Sequence, residues 1–217
     1  MKLFFHYCSF GFSNCYVLGA EAGQPAEDSA GTGTQNSPSD AVLIDPGNMD
    51  EPVLEFIESN NFNLRAVLVT HDHLNHVHWL RTLKRIYDAE VFAVNHVILE
   101  HKATLLKDGD KVEIGSFKIE VISIPGHSSD SAVYRIDTFL FTGDVLTAGL
   151  VGRTASTYGA AIQMNALRSR ILSLPGDYTV LPGHGPPSSL ETERRYNAGI
   201  NQYDQNRGRR PAFRLIM

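Results

Sequence analysis

The stretch Thr70–His76 reads T-H-D-H-L-N-H and directly follows the apolar run RAVLV. An uninterrupted apolar run of this length is typical of a buried strand. In extended backbone, residues two apart point to the same side, so the rings of His71 and His73 should lie together. His76 comes about one turn later, at the start of a predicted helix over Asn75–Asp88. This spacing predicts that three imidazoles are directed at one point.

The predicted helix supports the inward orientation of His76. Leu80 and Leu83 recur at helical spacing on the same face as His76, so this face should point to the core. His78 lies two residues past His76, roughly 200° around a helix, and is expected to face away. Asp72, between two inward histidines, is also expected to point away from them.

Three further polar residues follow other strand-like runs. The runs FKIEVISI, TFLF and YTVLP precede His127, Asp144 and His184, and each of these residues comes directly after a glycine. Glycine lets the backbone turn sharply, and loops at strand ends can converge on one edge of a fold. Imidazoles with a carboxylate suit zinc, with iron or manganese as alternatives. The other histidines are assigned to ordinary structural or surface positions: His6, His96 and His101.

The chain of 217 residues fits a single domain over residues 1–217. Gly19–Asp40 contains no Val, Ile, Leu, Met or aromatic residue, so it is predicted to be a mobile loop inserted in a hairpin between NCYVL and AVLID. The apolar stretch Leu3–Leu18 is interrupted by polar residues, which favours two strands over a signal peptide. No apolar run reaches the roughly 20 residues of a membrane span.

Charge and cysteine content limit the partners and the compartment. The net charge is −5, which argues against a broad nucleic-acid groove. Cys8 and Cys15 are too few for a disulfide scaffold, so a reducing compartment, the cytoplasm, is expected. From Arg194 onward, the sequence contains six arginines and only one acidic residue, Asp204. This region is either a solvated surface or a basic rim that attracts an anionic molecule. The oligomeric state stays open.

Strands dominate the remaining pattern. Short loops at Gly115–Ser116 and at Asp137 predict two hairpins, and helices are expected over Asp50–Asn60 and Ala160–Leu174. This arrangement favours two sheets packed face to face with helices outside. A doubly wound parallel sheet is the alternative.

Six segments between Ser13 and Pro187 resemble the metallo-β-lactamase superfamily, whose signature is H-x-H-x-D-H followed by a lone His, a lone Asp and a final His. They are SNCYVL, VLIDPG, THDHLNH, PGHSSDS, FTGDVLTAGLVGRT and LPGHGPP. More narrowly, the chain is similar to short members of the glyoxalase II (hydroxyacylglutathione hydrolase) branch without the C-terminal helical domain. The resemblance implies an α/β fold, a four-layer αββα sandwich of two mixed β-sheets with helices on the outer faces.

The resemblance also implies two metal sites. The first would contain His71, His73 and His127. The second would contain His76 and His184, with Asp144 bridging the two.

The implied activity is that of a metal-dependent hydrolase for a thioester or related small-molecule acyl substrate, with a metal-bound hydroxide as nucleophile. Asp144 would hold one or two zinc ions, or iron or manganese, and help to orient this nucleophile. Arg153 and Tyr158, in the loop after FTGDV, are either substrate contacts or ordinary surface residues. No nucleic-acid or membrane partner is expected.

Asn75 stands where the signature has a catalytic aspartate that binds the second metal. A neutral amide is a weaker ligand, so we expect lower affinity for a second ion and possible impairment of hydrolysis. Asn75 could also serve as the N-cap of the following helix. Two other functions stay open: a mononuclear iron persulfide dioxygenase, and a non-catalytic protein that binds metal or ligand.

Overall fold

The chain forms two six-stranded β-sheets in the part that this computed structural model describes, residues 1–21, 37–48 and 50–207. The strands are β1 Lys2–Tyr7, β2 Asn14–Gly19, β3 Ser39–Ile44, β4 Phe62–Leu68, β5 Glu90–Ala93, β6 Val97–Ile98, β7 His101–Lys102, β8 Thr104–Leu105, β9 Lys111–Ile114, β10 Phe117–Ser123, β11 Ala132–Ile136, β12 Phe139–Gly143, β13 Leu146–Thr147, β14 Leu150–Val151, β15 Thr179–Pro182 and β16 Ser188–Ser189. The helices are α1 Glu51–Ser59, α2 Leu74–Val77, α3 Leu80–Ile86, α4 Thr157–Ala166, α5 Leu190–Tyr196 and α6 Ala198–Arg207.

Both large sheets are mixed. The first has the order β1-β2-β3-β4-β5-β8, with antiparallel pairing from β1 to β3 and parallel pairing from β3 to β8. The second has the order β16-β15-β12-β11-β10-β9, in which β12 and β15 pair in parallel and the other neighbours pair antiparallel. The doubly wound parallel alternative is therefore wrong.

The two sheets pack against each other through alternate residues of their strands. In β2, Leu18 belongs to the core between the sheets, whereas Val17 belongs to the core under the outer helices. Ile44 and Leu43 of β3 divide in the same way. Strands buried on both faces are the reason why runs such as RAVLV read as continuously apolar.

Helices cover the outer face of each sheet. Val53 of α1 and Leu80 and Leu83 of α3 pack on the first sheet. Leu167, after α4, and Leu190 of α5 pack on the second sheet. Each fully buried aliphatic side chain stabilises the fold by about 1.5–3 kcal/mol, so these contacts hold the layers together. The observed order helix, sheet, sheet, helix confirms the four-layer αββα sandwich.

The helix predicted over Asn75–Asp88 is broken in two. Continuous α-helix would require the amide of Trp79 to bond the carbonyl of Asn75. Instead the Trp79 N–H donates to the carbonyl of Pro46 at 3.0 Å, and the Asn75 carbonyl accepts from Ser13 Oγ at 2.6 Å. These two tertiary hydrogen bonds end α2 and start α3 in a new direction.

Other boundaries also differ from the prediction. The helix expected over Ala160–Leu174 starts earlier, at Thr157, because Ser156 Oγ caps it by accepting from the Gly159 amide at 3.0 Å. After Ala166 it continues as a wider π-helical turn over Leu167–Ile171. The sequence pattern does not predict the short strands β6, β7, β8, β13, β14 and β16, because each has only two residues and two residues carry no periodicity. Among the described helices, none is long and apolar enough to cross a membrane.

The predicted hairpins are confirmed. β9 and β10 pair antiparallel around Gly115, whose φ of +56° suits glycine. β11 and β12 pair around Asp137. β2 and β3 pair antiparallel with Gly19 opposite Ala41, as expected for strands on either side of the Gly19–Asp40 insertion. Most of that insertion, residues 22–36, lies outside the described residues, and its mobility stays a prediction.

Replacing residues 22–36 with an Asn-Gly turn should change the melting temperature by less than about 4 °C, the shift that roughly 1 kcal/mol produces in a domain of this size. The reason is that β2 and β3 are already paired as far as the 2.8 Å hydrogen bond from the Ala20 amide to the Asp40 carbonyl. Differential scanning calorimetry measures the shift. A loss of stability well above this value would mean that the segment packs on the domain.

Candidate metal centre

The six residues predicted as metal ligands all follow the carboxyl ends of strands from the two sheets. His71, His73 and His76 follow β4, and His127, Asp144 and His184 follow β10, β12 and β15. They form two groups: His71, His73, His127 and Asp144, and His76, Asp144 and His184. Within each group the candidate ligand atoms lie within 4.8 Å of one another, and Asp144 belongs to both.

The first group has its ring nitrogens directed at the Asp144 carboxylate. His127 Nε2 lies 3.6 Å and His71 Nε2 lies 3.9 Å from Asp144 Oδ2. His127 Nε2 is also 3.1 Å from His73 Nδ1. In the second group, His76 Nε2 is 3.5 Å from Asp144 Oδ1, and His184 Nε2 is 3.5 Å from Asp144 Oδ2. The carboxylate therefore lies between the two groups.

The opposite ring nitrogens are held by acceptors, which fixes the tautomers. His127 Nδ1 donates to the Arg153 carbonyl and His184 Nδ1 donates to the Phe12 carbonyl, both at 2.8 Å. His76 Nδ1 donates to Asp45 Oδ2 at 3.0 Å. A neutral imidazole that donates through Nδ1 carries its lone pair on Nε2. The neutral rings of His127 and His184 therefore carry their lone pairs on Nε2, the nitrogen that faces the cluster. His76 offers a lone pair there only after it loses its second proton.

Asp45 supports two of the histidines at once. Its buried carboxylate accepts from the Thr70 amide at 2.8 Å, from Thr70 Oγ1 at 2.7 Å and from His76 Nδ1 at 3.0 Å. Because Thr70 Oγ1 donates to Asp45, its lone pairs are free to accept from His71 Nδ1 at 3.1 Å. Asp45 is not among the site residues predicted from the sequence. Its signal was an Asp-Pro-Gly sequence directly after β3, at the same sheet edge as Thr70.

Glycine precedes His184 for a steric reason. A Cβ at Gly183 would lie 2.4 Å from Asp144 Oδ1 and 2.6 Å from His76 Cε1. Contacts this short do not occur with real side chains, so any other residue would push the cluster apart.

Burial and neighbouring charges set the protonation of the cluster. Burial, together with the positive charge of His76, lowers the pKa of His71 to about 2, so this ring stays neutral. Burial disfavours the charged form of His76, but contacts with the Asp144 and Asp45 carboxylates outweigh it and raise the pKa to about 9. Burial also opposes ionisation of Asp144, yet the contact with His76 holds the pKa of that carboxyl well below its usual range.

Three buried polar atoms in the cluster lack a hydrogen-bond partner among the described residues. They are His71 Nε2, His76 Nε2 and Asp144 Oδ1. A buried polar atom without a partner costs about 1–3 kcal/mol, and three at one point are unusual. A divalent cation would satisfy all three, and the nitrogen and carboxylate donors suit zinc, iron or manganese. The residues present therefore fit a metal.

Asn75 lies beside the second group and is not a helix N-cap, since His73 occupies that position of α2. Its Nδ2 is 3.0 Å from His184 Nε2. Because His184 donates through Nδ1, its Nε2 must accept this contact from the Asn75 amide. The hydrogen bond uses the lone pair that a second metal would need.

Of the other residues considered in the sequence, Arg153 lies beside the cluster and Tyr158 does not. Arg153 lines a cavity of about 250 Å³ together with His127, Asp144 and His184, and its guanidinium has no ion pair with the described residues. Tyr158 is 75% exposed in the first turn of α4 and does not line this cavity. Asp72 is exposed and accepts from Asn95, away from the cluster. The histidines that lie outside both groups are His6, His78, His96 and His101.

The C-terminal arginines that the structure describes are engaged in local contacts. Arg194 donates to the carbonyls of Leu172 and Gly176 at 2.8 Å, and Arg195 pairs with Glu191. These contacts match the interpretation of this part as ordinary surface. Residues 208–217 lie outside the described part, so the basic-rim hypothesis stays open there.

The fold and the cluster agree with a sequence match to a known family. The profile of the metallo-β-lactamase superfamily matches residues 35–184, and the chain belongs to this superfamily. A hydroxyacylglutathione hydrolase of Chromohalobacter salexigens is 33% identical over 153 residues, which are 69% of this chain and 59% of that protein. The match therefore spans little more than half of that relative's length.

Two solved structures have the same fold. ETHE1 from Myxococcus xanthus superposes with a TM-score of 0.76 at 25% identity, over 98% of this chain and 93% of that one. TTHA1623 in a di-iron-bound form gives a TM-score of 0.69 at 27% identity, over 90% of this chain and 98% of that one. These similarities confirm the predicted family and fold.

Asp45→Asn should destabilise the metal-free protein by about 3 kcal/mol, because a neutral amide cannot accept all the buried donors that face the carboxylate. Urea unfolding after chelation measures the change. Asp50→Asn is the matched control, since Asp50 is half exposed and pairs with His6 outside the cluster. Equal stability of the two variants would show that the Asp45 network does not support the site.

Proposed function

We propose that the protein is a metal-dependent hydrolase that acts on a thioester or a related acyl substrate. The observation that carries this proposal is a set of five imidazoles and one carboxylate, with unpartnered buried atoms, beside a cavity of about 250 Å³. The similarity to a hydroxyacylglutathione hydrolase supports the thioester class. We propose zinc as the metal, in one or two ions, with iron or manganese as alternatives.

The ligand roles follow from the two groups. We assign the first metal site to His71, His73 and His127. We assign the second to His76 and His184, with Asp144 shared between them. A divalent ion held there would supply a Lewis acid and lower the pKa of a bound water toward 7.

The residues of this chain hold and orient the reactants. Asp144, held between the two groups, orients the water toward the acyl carbon. Arg153 lines the cavity, and we propose that its guanidinium binds an anionic part of the substrate there. In the net reaction the water oxygen bonds to the acyl carbon, the carbon–sulfur bond breaks, and the products are a thiol and a carboxylic acid that ionises.

Asn75 weakens the second site in two ways. Two divalent ions carry four positive charges, against which the ligand set offers the single carboxylate of Asp144. In addition, an ion at His184 must displace the 3.0 Å hydrogen bond from Asn75. We therefore propose that the first site fills before the second.

A second candidate is a mononuclear iron dioxygenase that acts on persulfides. The Asn75–His184 hydrogen bond favours it, because this bond leaves one complete group of ligands. Iron in protein purified without added metal, with oxygen consumption on a persulfide, would select this function. Absence of both turnovers with retained ligand binding would select a non-catalytic role.

We also propose a cytoplasmic location. The support is that Cys8 and Cys15 are both free and buried, as expected in a reducing compartment.

His127→Ala should abolish tight metal binding, because it removes one of the three imidazole nitrogens of the proposed first site. Elemental analysis after dialysis measures the stoichiometry. His78→Ala is the matched control, since His78 is exposed and stacks on Phe10 outside the cluster. Full metal content in the His127 variant would refute the assignment of this site.

Asn75→Asp should raise the metal content toward two ions and speed thioester hydrolysis by about tenfold or more, because a misplaced catalytic group can cost about a hundredfold. Elemental analysis and a thiol-release assay measure the two effects. Asn75→Ala is the control: it frees His184 without adding a carboxylate. A gain of metal in both variants would identify the hydrogen bond as the limit, and no gain in either would contradict the proposal for Asn75.

A further inference from the structure

One wall of the cavity beside the cluster is a very short hairpin. β13 and β14 each contain two residues and are joined by a turn at Gly149, whose φ is +76°. Thr147, Leu150 and Val151 of this hairpin line the cavity. Leu150 is 57% exposed although it is a large apolar residue. This wall therefore presents mainly hydrocarbon to whatever occupies the cavity.

A buried carboxylate accepts a hydrogen bond from the turn of this hairpin and holds it in place. Glu193 of α5 is 1% exposed. It accepts from the Gly149 amide at 3.1 Å, from Ser188 Oγ at 2.6 Å and from Asn197 Nδ2 at 2.6 Å. A charge buried without such partners would cost several kcal/mol, so the hydrogen bonds are what permit Glu193 to lie there.

Asn197, between α5 and α6, completes the support. Its side chain is also 1% exposed and donates to the Leu150 carbonyl at 2.9 Å. The next amide, of Ala198, donates to the Gly149 carbonyl at 2.8 Å. A Cβ at Gly199 would lie 2.8 Å from the Val151 amide, so α6 approaches the hairpin as closely as glycine allows.

A hairpin of this length has almost no stability of its own. Buried Leu146 and the Thr142 side chain anchor its start, and Glu193 and Asn197 hold its turn through the backbone of Gly149 and Leu150. Buried polar groups are costly, and here two of them hold the turn next to one exposed apolar side chain, Leu150, which lines the cavity. This arrangement indicates that the position of Leu150 matters for what binds there.

We propose that the cavity takes an apolar acyl group, packed against Leu150 and Val151, and that Glu193 and Asn197 are positioning residues for this wall. The inference rests on the proposed hydrolysis and names the substrate class. Thr147 carries the single hydroxyl of the hairpin wall, so the wall has little to offer a hydroxyl on the acyl group. An unsubstituted acyl chain is thus a better fit than a hydroxyacyl group.

The test uses the metal-loaded protein and thioesters of one neutral thiol, N-acetylcysteamine, with acetyl, butyryl, hexanoyl and lactoyl groups. We expect kcat/KM to rise roughly fourfold for each methylene buried, which corresponds to about 0.8 kcal/mol. The lactoyl ester should be a poorer substrate than the butyryl ester. Hydrolysis that is equally fast for all chains would overturn this inference while the proposed function stands.

Variants of the wall make the test specific. Leu150→Ala should flatten the dependence on chain length, and Leu150→Asp should remove it. Ile86→Ala is the matched control, since Ile86 is similarly exposed, at 52%, but does not line the cavity. Retention of the full chain-length dependence in both Leu150 variants would contradict the proposal.

The positioning role needs a readout that a general loss of stability would not produce. Asn197→Ala should raise KM several-fold for the hexanoyl ester with little change for the acetyl ester. An equal loss for both esters would show a merely structural role. If Asn197→Ala fails to fold, the Leu150 variants still decide the matter, because that side chain is exposed.

Binding gives a measurement that does not need turnover. Calorimetry should show tighter binding of hexanoate than of acetate, and Leu150→Asp should abolish the difference. If no thioester is hydrolysed but this difference exists, the proposed function fails and the apolar site stands. If neither acid binds more tightly than the other, the apolar site is refuted.

Discussion

The geometry of the site depends on the hydrogen bonds that the buried carboxylate of Asp45 accepts. Asp45 lies after β3 and binds the segment after β4, so it joins two neighbouring strand ends of the first sheet. The second sheet is attached at the same edge: the Ala132 amide donates to the Thr70 carbonyl at 2.9 Å, and Tyr134 Oη donates to the Val69 carbonyl at 2.7 Å. The edge where the histidines emerge is thus also where hydrogen bonds join the two sheets.

Residues near the N-terminus attach the loop that carries His184 to the same edge. The backbone N–H of Asn14 donates to the Gly183 carbonyl at 2.7 Å, and the side-chain Nδ2 of Asn14 donates to the carbonyls of Pro182 and Gly185. Tyr16 Oη also donates to the Pro182 carbonyl, at 2.7 Å. Loops that come from distant parts of the sequence are therefore held by backbone acceptors, which leaves the histidine side chains free for the cluster.

The sequence was informative where a residue's role depends on its immediate neighbours. A glycine directly after each strand-like run indicated that His127, Asp144 and His184 share one edge, and the two-residue spacing indicated that His71 lies beside His73; the structure has both features. The sequence was uninformative where a partner is remote. The break between α2 and α3 depends on the carbonyl of Pro46, and no pattern in the local sequence predicts this break. The hairpin at Gly149 depends in the same way on α5 and α6, which begin at Leu190 and Ala198, far away in the sequence.

Some histidines of the cluster are held by a buried carboxylate and others by carbonyls of loops. His71 and His76 depend on the buried carboxylate of Asp45, which is fixed by the sheet. His127 and His184 depend on carbonyls of loops, those of Arg153 and Phe12. Arg153 therefore has two separate connections: the residue lines the cavity, while its carbonyl orients His127. A substitution of its side chain leaves the carbonyl that orients His127 in place, whereas a change in the length of its loop would move this proposed metal ligand. The loop can thus vary in side chains more freely than in backbone.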